Sequence, residues 1–393
     1  MKSLSFFQTP SKLFLALIGL LVALWGVAPV ATFAANCSVP SAVYPTIQTA
    51  VNDPNCTEIS LAAATFNENL ILHHNVIING VAPAASIIDG YFLGPVVVVQ
   101  PGVYAELNNV TLQHGTGTQG AGIYNDGGTL KLQNAALHNN TNGPIPTEQG
   151  GGIYNNGGNV EAINVDFLNN NATNGAAIFN NNGNITVAQS QFSHYQGVYR
   201  GGGIFNEMGQ LTVTGSRFTG MNAVIGMAIF NNGGTVRSSA NVYQNGNGAV
   251  GVINNAEQGV VVSEDDQFLN NNSYAAGTGI DNTSGTIRIS NCLFSHNSAL
   301  GAGGAIRNLS GQIIVTNCTF DGNSTGLGNG GAIDNHDIAK IKGSTFTNNR
   351  AGAFGGGVNN EGTMSLINSS FAGNTAVQGG NDVWNAGNCH GCS

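Results

Sequence analysis

The sequence predicts an all-β protein built as a parallel β-helix, a solenoid with about 26 residues per coil. Three observations lead to this prediction. A phrase made of an aliphatic residue, a variable residue and Asn returns eleven times along the chain. The short segments between these phrases alternate apolar and polar residues, as strands do and helices do not. Gly and Asn, which favour turns, separate the segments, and Gly alone accounts for 57 of 393 residues.

The Asn of the repeated phrase sets the length of one coil. Successive Asn residues lie 23 to 30 residues apart. Three short strands cannot bury an apolar face alone, but they can when each coil stacks in parallel on the next, about 4.8 Å away. Equivalent residues then form columns, and Asn amides at a turn can bond from coil to coil. The predicted Asn column consists of Asn125, Asn155, Asn180, Asn206, Asn231, Asn254, Asn282, Asn308, Asn335, Asn360 and Asn385.

A second column is aromatic and predicts the core. Phe or an equivalent recurs once per coil, and aliphatic residues stand seven and five positions before it, as Ile185 and Val187 do before Phe192. Alternation places these residues inside the solenoid, together with the aliphatic residue of the repeated phrase. Cys292 and Cys318 occupy a position two before Phe where other coils carry Ser. The two thiols are therefore predicted to be buried, and either bridged or free.

Residues 1–34 predict a signal peptide. Two lysines precede the apolar run 13–26, and small residues follow at 31–36, with cleavage expected after Ala34. The run is short for a membrane span, so no transmembrane segment is expected after cleavage; an uncleaved anchor is the alternative. We expect a secreted or cell-surface protein, with residues 35–388 forming the β-helix.

Six cysteines in an exported chain favour disulfides. Cys37 and Cys56 bracket a short N-terminal segment and are predicted to staple it. Cys389 and Cys392 lie in the phrase CHGC of the C-terminal tail, 389–393. A terminal disulfide is favoured there over a metal site, because no second Cys or His pair accompanies them. No metal and no cofactor is predicted.

The charge of the chain excludes one class of partner. The net charge is −9, and it becomes −11 when the predicted signal peptide, which contains two lysines, is removed. Charged residues make up only 8% of the sequence, and no basic patch is present. Nucleic acid is therefore not expected as a partner.

The repeats resemble those of a known family. The phrase GGAI at 303–306 and 330–333, combined with FxxN at 294–297 and 320–323, is similar to the repeats of the chlamydial polymorphic outer membrane proteins. More broadly, most of residues 44–387 resembles the right-handed parallel β-helices of the pectin-lyase-like superfamily. That architecture carries lyases, hydrolases, epimerases, adhesins and passive scaffolds, so the resemblance implies the fold and leaves the function open.

The resemblance also implies how the chain is organised. YPTIQTAV (44–51) resembles the short amphipathic helix that caps the first coil in the superfamily. We expect irregular first coils over 57–120 and regular repeats over 121–388. The outer membrane proteins end in a large β-barrel, whereas this sequence ends at Ser393 soon after its last repeat, so insertion into an outer membrane is not expected.

The residue that follows the repeated aliphatic residue is predicted to point outward, because this column admits charges. Its first part is aromatic and would stack into a surface stripe roughly 20 Å long, a platform for a polysaccharide. The alternative is that the stripe is covered, for example by the insertion 139–150, or only stacks on itself. Farther along, Asp281, Arg307 and Asp334 would alternate in sign as a surface ladder. The predicted ligand-binding residues are Tyr124, Tyr154, Phe179, Phe205 and Phe230.

Catalytic residues are weakly indicated. The resemblance implies, for pectinolytic hydrolases, an Asn-Thr-Asp strand and an Asp-Asp pair followed by His-Gly, and these are not present in order. The acidic run Glu264, Asp265 and Asp266 is the best candidate for cation binding or acid–base work, with a solvated turn as the alternative. His336 and Asp337 interrupt a turn and are similarly ambiguous.

These observations together predict a non-catalytic protein, adhesin-like or carbohydrate-binding, whose partner is an extracellular polysaccharide or a host or cell-surface component. One alternative is a polysaccharide lyase or glycoside hydrolase on the same fold. The other is a structural spacer at the cell surface. Release of product would separate an enzyme from a binder, and exposure of the aromatic column would separate a binder from a spacer.

Overall fold

Each repeat folds into three principal strands that pair in parallel with the same strands of the neighbouring coils. The computed structural model describes residues 36–142, 148–195 and 198–392, so the predicted signal peptide lies outside the described residues. The described chain is all-β with almost no helix, a parallel β-solenoid of about 14 turns with roughly 25 residues per turn. The predicted fold class is confirmed.

Sheet 1 is the longest, with fifteen strands in the described residues. Its strands alternate buried and exposed side chains, as the sequence pattern requires. They are Asn36–Val39, Glu58–Leu61, Val76–Asn79, Tyr104–Asn108, Thr129–Gln133, Asn159–Ile163, Asn184–Ala188, Gln210–Thr214, Thr235–Ser239, Val260–Glu264, Thr286–Ser290, Gln312–Thr316, Ile338–Lys342, Thr363–Ile367 and Asn388–His390.

Sheet 2 follows sheet 1 in each coil after a short turn and carries the inward Phe residues. Its thirteen described strands are Thr65–Asn67, Ile87–Asp89, Thr111–Gln113, Ala136–His138, Asp166–Leu168, Gln191–Ser193, Arg217–Thr219, Val242–Gln244, Gln267–Leu269, Leu293–Ser295, Thr319–Asp321, Thr345–Thr347 and Ser370–Ala372.

Sheet 3 contains the repeated aliphatic-x-Asn phrase. Its thirteen described strands are Leu70–Leu72, Val97–Val99, Ile123–Asp126, Ile153–Asn156, Ile178–Asn181, Ile204–Glu207, Ile229–Asn232, Ile253–Ala256, Ile280–Asn282, Ile306–Asn308, Ile333–Asn335, Val358–Asn360 and Val383–Asn385.

Sheet 4 lies between sheets 2 and 3 in chain order and exists only in the later coils. Its eight described strands are Val198–Arg200, Ala223–Ile225, Asn247–Val250, Asn272–Ala276, Ser298–Ala299, Ser324–Thr325, Arg350–Ala351 and Thr375–Ala376. In two earlier coils the strands Thr116–Gly117 and Thr141–Asn142 pair with each other.

The N-terminal cap is a single short helix, Ile47–Val51, which is shorter than the predicted span 44–51. Thr46 is extended and forms the N-cap, and Thr49 completes a capping box with it. The Glu68 carboxylate accepts hydrogen bonds from the backbone N–H of Ile47 and Gln48, at 2.8 and 2.9 Å. This satisfies donors at the helix N-terminus, where negative charge is favoured.

Both predicted disulfides are present. Cys37 is bonded to Cys56, and Cys389 is bonded to Cys392. The predicted tail is not a separate segment, because Cys389 and His390 belong to the last strand of sheet 1. Disulfides persist in oxidising compartments, and the bonds therefore indicate an extracytoplasmic protein. Within the described residues, no helix has the length and apolar character that spanning a membrane requires.

The core is a continuous stack of rings down the solenoid axis. From Phe167 to Phe371, the ring centroids of neighbouring coils are 4.3 to 5.0 Å apart, and the planes lie within 22° of parallel. Ile, Val and Leu from sheets 1 and 3 surround this stack and are almost completely buried. The predicted inward columns are confirmed.

The Asn column forms a buried amide ladder, with one correction. The side-chain Nδ2 of each Asn donates to Oδ1 of its equivalent in the next coil, at 2.6 to 3.0 Å from Asn125 to Asn385. The fifth step runs from Asn231 to Asn255, and the predicted Asn254 is wrong. Ile253 pairs with Ile229 and Asn255 pairs with Asn231, because this coil is shorter than the others. Asn254 therefore takes the outward position opposite Phe230.

A second ladder uses the Asn of FxxN. In the later coils Nδ2 donates to the next Oδ1 from Asn271 to Asn374, at 2.9 to 3.0 Å. Three coils in the middle replace this Asn by Tyr195, Met221 and Gly246. These are the coils in which sheet 4 begins.

Removing one amide from the first ladder should destabilise the protein more than removing its sequence neighbour. Asn231→Ala takes the acceptor from Asn206 and the donor from Asn255, both of which are buried. We expect a loss of about 2–4 kcal/mol in the free energy of unfolding, measured by urea denaturation. The matched control, Asn232→Ala on the partly exposed side of the same strand, should change it by about 0.5 kcal/mol or less. Equal losses would contradict a structural role for the ladder.

Candidate functional site

The outward column of sheet 3 is not exposed as predicted. We call it the outer column, and its register is set by strand pairing from coil to coil. Tyr154, Phe179, Phe205 and Phe230 retain only 1 to 6% of their accessible surface, and Tyr124 is half-buried. The expectation of an open aromatic platform here is wrong. The outer column consists of Tyr124, Tyr154, Phe179, Phe205, Phe230, Asn254, Asp281, Arg307, Asp334, Asn359 and Trp384.

The glycines before each strand explain this burial. The chain enters the strand through a turn that crosses the outer column, and this turn requires a positive φ, as at Gly150 (65°) before Tyr154. A Cβ on Gly150 would collide with the Ile153 carbonyl oxygen. The rings also cover one another, with centroids 4.7 to 5.6 Å apart. Part of the insertion 139–150 lies outside the described residues, so its predicted cover is not tested.

Sheet 4 covers the last ring of the aromatic segment. Ile225 packs against the aromatic cluster. The guanidinium carbon of Arg200 lies 5.5 Å from the ring centroid of Phe230 and 5.0 Å from that of Tyr199. These distances are those of cation–π contacts. Arg200 therefore links the end of the aromatic segment to the outer face of sheet 4.

Beyond Phe230 the outer column becomes polar as far as Asn359, and of these residues only Arg307 is partly exposed. The Asp281 carboxylate accepts Nε of Arg307 at 2.6 Å and an Nη of the same residue at 3.0 Å. Asn254 Nδ2, from the preceding coil, donates to Oδ2 of the same carboxylate at 2.8 Å. Burial raises the pKa of the Asp281 carboxyl, and the Arg307 pairing opposes the rise. The predicted surface ladder is therefore an ion pair between a fully enclosed Asp281 and a partly exposed Arg307.

An open groove of about 740 Å³ lies over this transition from aromatic to polar residues. Sheet 3 contributes Phe230, Asn254, Asp281 and Arg307, and sheet 4 contributes Arg200, Ile225 and Val250. Glu257 and Met208, both exposed, also line it. The groove thus combines an apolar wall with two guanidinium groups and two carboxylates, of which Asp281 is paired with Arg307 and Glu257 is exposed. This composition suits a polar polymer, whose acidic groups the guanidinium groups can bind.

A histidine between two carboxylates lies in the coil next to Arg307. His336 Nε2 is 2.8 Å from Oδ2 of buried Asp334, and its Nδ1 is 3.2 Å from Oε2 of Glu361. The side chains of His336 and Glu361 are 32% and 41% exposed, so both can reach solvent. The Asp334 charge also acts on Arg307 in the neighbouring coil, but its hydrogen bonds are made with His336 and Asn359.

This arrangement favours the imidazolium form of His336. Both ring nitrogens face a carboxylate oxygen, and only the doubly protonated ring donates to both. The hydrogen bond to Asp334 raises the pKa of His336, and the negative charges of Asp334 and Glu361 add to this effect, while burial and the Arg307 charge oppose it.

Hydrogen bonds from two asparagines fix Glu361 in place. Its Oε1 accepts Nδ2 of Asn359 and Nδ2 of Asn329, both at 3.2 Å. Asn359 also donates to Asp334 at 2.7 Å. The protonated ring and an accessible carboxylate are therefore held side by side on one face of the solenoid.

The acidic run predicted as a candidate site does not converge. Glu264 and Asp265 point to solvent, whereas Asp266 is buried. The Asp266 carboxylate accepts hydrogen bonds from Ser263 Oγ at 2.6 Å and from Asn241 N at 2.8 Å. Burial raises its pKa. These three carboxylates do not share one site, because Asp266 is enclosed by its own hydrogen bonds while Glu264 and Asp265 are exposed at the end of the strand.

Cys292 and Cys318 are free and buried in equivalent positions of consecutive coils. They belong to the predicted inward small-residue column. No group of three His, Cys, Asp or Glu side chains in the described chain is arranged to hold a metal ion.

Sequence reasoning missed Glu361 and did not connect it to His336. The sequence signal that could have found this pair is the position of the two residues in the repeat. His336 and Glu361 both stand two residues after the outer column in consecutive coils, where earlier coils carry Asn156, Asn181 or Asn232. It also missed the tyrosines of sheet 4, because the strands that carry them are short and lack a repeated phrase.

Comparison with known proteins gives two distant structural matches. No family model and no curated protein matches the chain, and the resemblance to polymorphic outer membrane proteins is not confirmed. The catalytic domain of a GH87 alpha-1,3-glucanase in complex with nigerose is similar at 10% identity and a TM-score of 0.39, covering 93% of this chain and 69% of that chain. The A-module of the Azotobacter vinelandii mannuronan C-5 epimerase AlgE6 is similar at 10% identity and a TM-score of 0.26, covering 86% and 91%.

Both matched structures come from carbohydrate-active enzymes. This finding corrects the expectation that the chain is not an enzyme, which rested on the missing pectinolytic motifs. The fold itself is established by the strand pairing of this chain.

The raised pKa of His336 predicts a pH-dependent contribution to stability. A group whose pKa is higher in the folded than in the unfolded protein stabilises the folded state fully at pH values below its unfolded pKa, about 6.5. This stabilisation is lost as the pH rises through the folded-state pKa. The free energy of unfolding of the wild type relative to His336→Gln should therefore fall as pH increases above about 6.5. Urea denaturation between pH 5 and pH 9, roughly spanning this range, measures it. Replacement of the exposed His194 by Gln controls for loss of a histidine, and a flat difference for His336 would contradict the pairing.

Proposed function

We propose that this chain is an extracytoplasmic enzyme that cleaves an acidic polysaccharide by β-elimination. The observation that carries the proposal is His336, held between Asp334 and Glu361 in the coil next to Arg307 and the groove. An acid and a base thus lie within 3.2 Å of each other, both partly exposed on one face.

The short distance between the two groups favours elimination over hydrolysis. The paired carboxylates of glycoside hydrolases stand roughly 5 to 9.5 Å apart, so that they can act on opposite sides of the sugar. His336 and Glu361 touch each other. Asp281 and Asp334, the carboxylates of the outer column, have no exposed surface and are paired with Arg307 and His336.

We assign substrate binding to the groove. Its open shape admits a chain that continues at both ends, and the apolar wall of Phe230, Ile225 and Met208 suits the faces of sugar rings. Arg307 lines the groove while Asp281 fixes its orientation through two bonds. A guanidinium held in this way can bind the carboxylate of a uronic acid unit and stabilise the negative charge that develops when the neighbouring proton leaves.

The proton transfers follow from the protonation states. The Glu361 carboxylate takes the proton from the carbon next to the uronate carboxylate. The electrons of that C–H bond form the new carbon–carbon double bond, and the bond from the β-carbon to the glycosidic oxygen breaks. The imidazolium of His336 donates its proton to the departing oxygen. Transfer of the proton from Glu361 to His336 across their contact restores the starting state.

Asp334 would act as the positioning residue for this pair. It is buried and also accepts a hydrogen bond from Asn359, so the ring of His336 has a fixed orientation. A buried carboxylate behind a histidine holds the tautomer and stabilises the imidazolium.

The test is a product assay with matched variants. The mature chain would be incubated with polygalacturonate, mannuronan and an α-1,3-glucan, and both the ultraviolet absorbance of unsaturated uronate ends and the reducing ends would be recorded. We expect absorbance with at least one uronate polymer. His336→Gln and Glu361→Gln should each lower the rate by about 100-fold or more, because each removes one proton transfer.

A second His–Asp pair provides the control. His138 and Asp166 are 3.1 Å apart on sheet 2, away from the groove, so His138→Gln should keep the wild-type rate. Reducing ends without the absorbance would favour the second candidate, a glycoside hydrolase. Equal loss of rate in all three variants would contradict the assignment of the site.

A further inference from the structure

One of the exposed apolar surfaces of the described chain lies on sheet 4, whose strands also border the groove. Tyr199 and Tyr274 are 46% and 58% exposed, and Val224 between them is 44% exposed. Strand pairing aligns Tyr199, Val224, Ala249 and Tyr274 in one outward column across four consecutive coils. The two rings are thus about 14 Å apart along the solenoid, three coil spacings.

These residues frame a shallow depression of about 250 Å³. Its floor is Val224, Ala249 and Gly248, and the tyrosines stand at its two ends. Asn222, Asn247 and Asn272 form an exposed amide column along one side, in which Asn272 Nδ2 donates to Asn247 at 3.2 Å. No charged side chain lines the depression within the described residues.

A local irregularity sets the position of Tyr274. Gly248 pairs with Ser273 and Val250 pairs with Ala276, so the strand that carries Tyr274 has one extra residue at this point. Bulges of this kind redirect a side chain and are frequent next to binding sites. The ladder of FxxN asparagines is also replaced by other residues in the coils where sheet 4 begins.

Arg200 joins this surface to the groove. Its guanidinium lies over Tyr199 on one side and over Phe230, a wall of the groove, on the other. Residues alternate between the two sides along the strands of sheet 4. Val224 and Ala249 face the depression, whereas Ile225 and Val250 face the groove. The depression and the groove therefore lie on opposite sides of these strands, and Arg200 contacts a ring of each.

We infer that the Tyr199–Tyr274 surface is a distal subsite that binds the same polysaccharide chain beyond the groove. The inference rests on the proposed function for the identity of the ligand. Flat, exposed phenol rings stack on sugar faces, and the asparagine amides donate to and accept from hydroxyl groups along the edge. The described lining contains no carboxylate that would repel a uronate polymer, and its amide groups suit the hydroxyl groups of such a chain.

The subsite predicts a dependence on substrate length. In the double variant Tyr199→Ser, Tyr274→Ser, KM for the long polymer should rise about tenfold or more, because two stacking contacts are lost. KM for short oligosaccharides that fill only the groove should stay the same, and kcat should be unchanged with both substrates. The control is Leu327→Ser, Val377→Ser, which removes two apolar side chains that are even more exposed, from other coils, and should leave both KM values unchanged.

The binding arm separates failure of the subsite from failure of the proposed function. Retention on the immobilised polymer would be measured for His336→Gln with and without the tyrosine substitutions. Weaker retention with the tyrosines removed supports the subsite, even if no variant forms product and the proposed chemistry fails. Unchanged retention, or an equal rise of KM for long and short substrates, overturns it. No retention by any of these proteins on any polymer contradicts both proposals.

Discussion

The whole structure depends on the parallel stacking of coils and on the buried amides that fix its register. Each Asn of the first ladder donates to the next coil and to a turn carbonyl of its own coil, as Asn155 does to Asn180 and Gly158. A shift of one residue would expose the inward columns and leave these amides unpaired inside the protein. The ladder therefore holds equivalent positions of successive coils in line. Columns of side chains, including those of the candidate site, follow from this alignment.

The outer column illustrates how one alignment serves two purposes. Its aromatic half stacks and buries itself, which stiffens the wall of the groove. Its polar half places Asp281, Arg307 and Asp334 in consecutive coils, where Asp281 orients Arg307 and Asp334 orients His336. The buried carboxylates act as supports for exposed groups, and a short-range network of this kind restricts the motion of the groups it holds. The chemistry proposed here needs such restriction, because both proton transfers occur at neighbouring atoms of one sugar.

The sequence could predict the fold because every local feature points in the same direction. Alternation, turn glycines and the Asn spacing all repeat, and both disulfides followed from Cys position. The fifth ladder step failed at Asn254 because a short coil carries two adjacent Asn residues. The exposure of Tyr154 and Phe179 could not be predicted, since the cover comes from turns preceding each strand. Likewise, His336 and Glu361 are 25 residues apart, and only the stacking of coils brings them into contact.

The most direct measurement of the central claim is a crystal structure of Glu361→Gln with a bound uronate oligosaccharide. The account predicts a uronate carboxylate on Arg307, the C–H next to that carboxylate facing the side chain at position 361, and the adjoining glycosidic oxygen within hydrogen-bond distance of His336. A sugar bound on another face of the solenoid, or bound in the groove with its glycosidic oxygen away from His336, would contradict it.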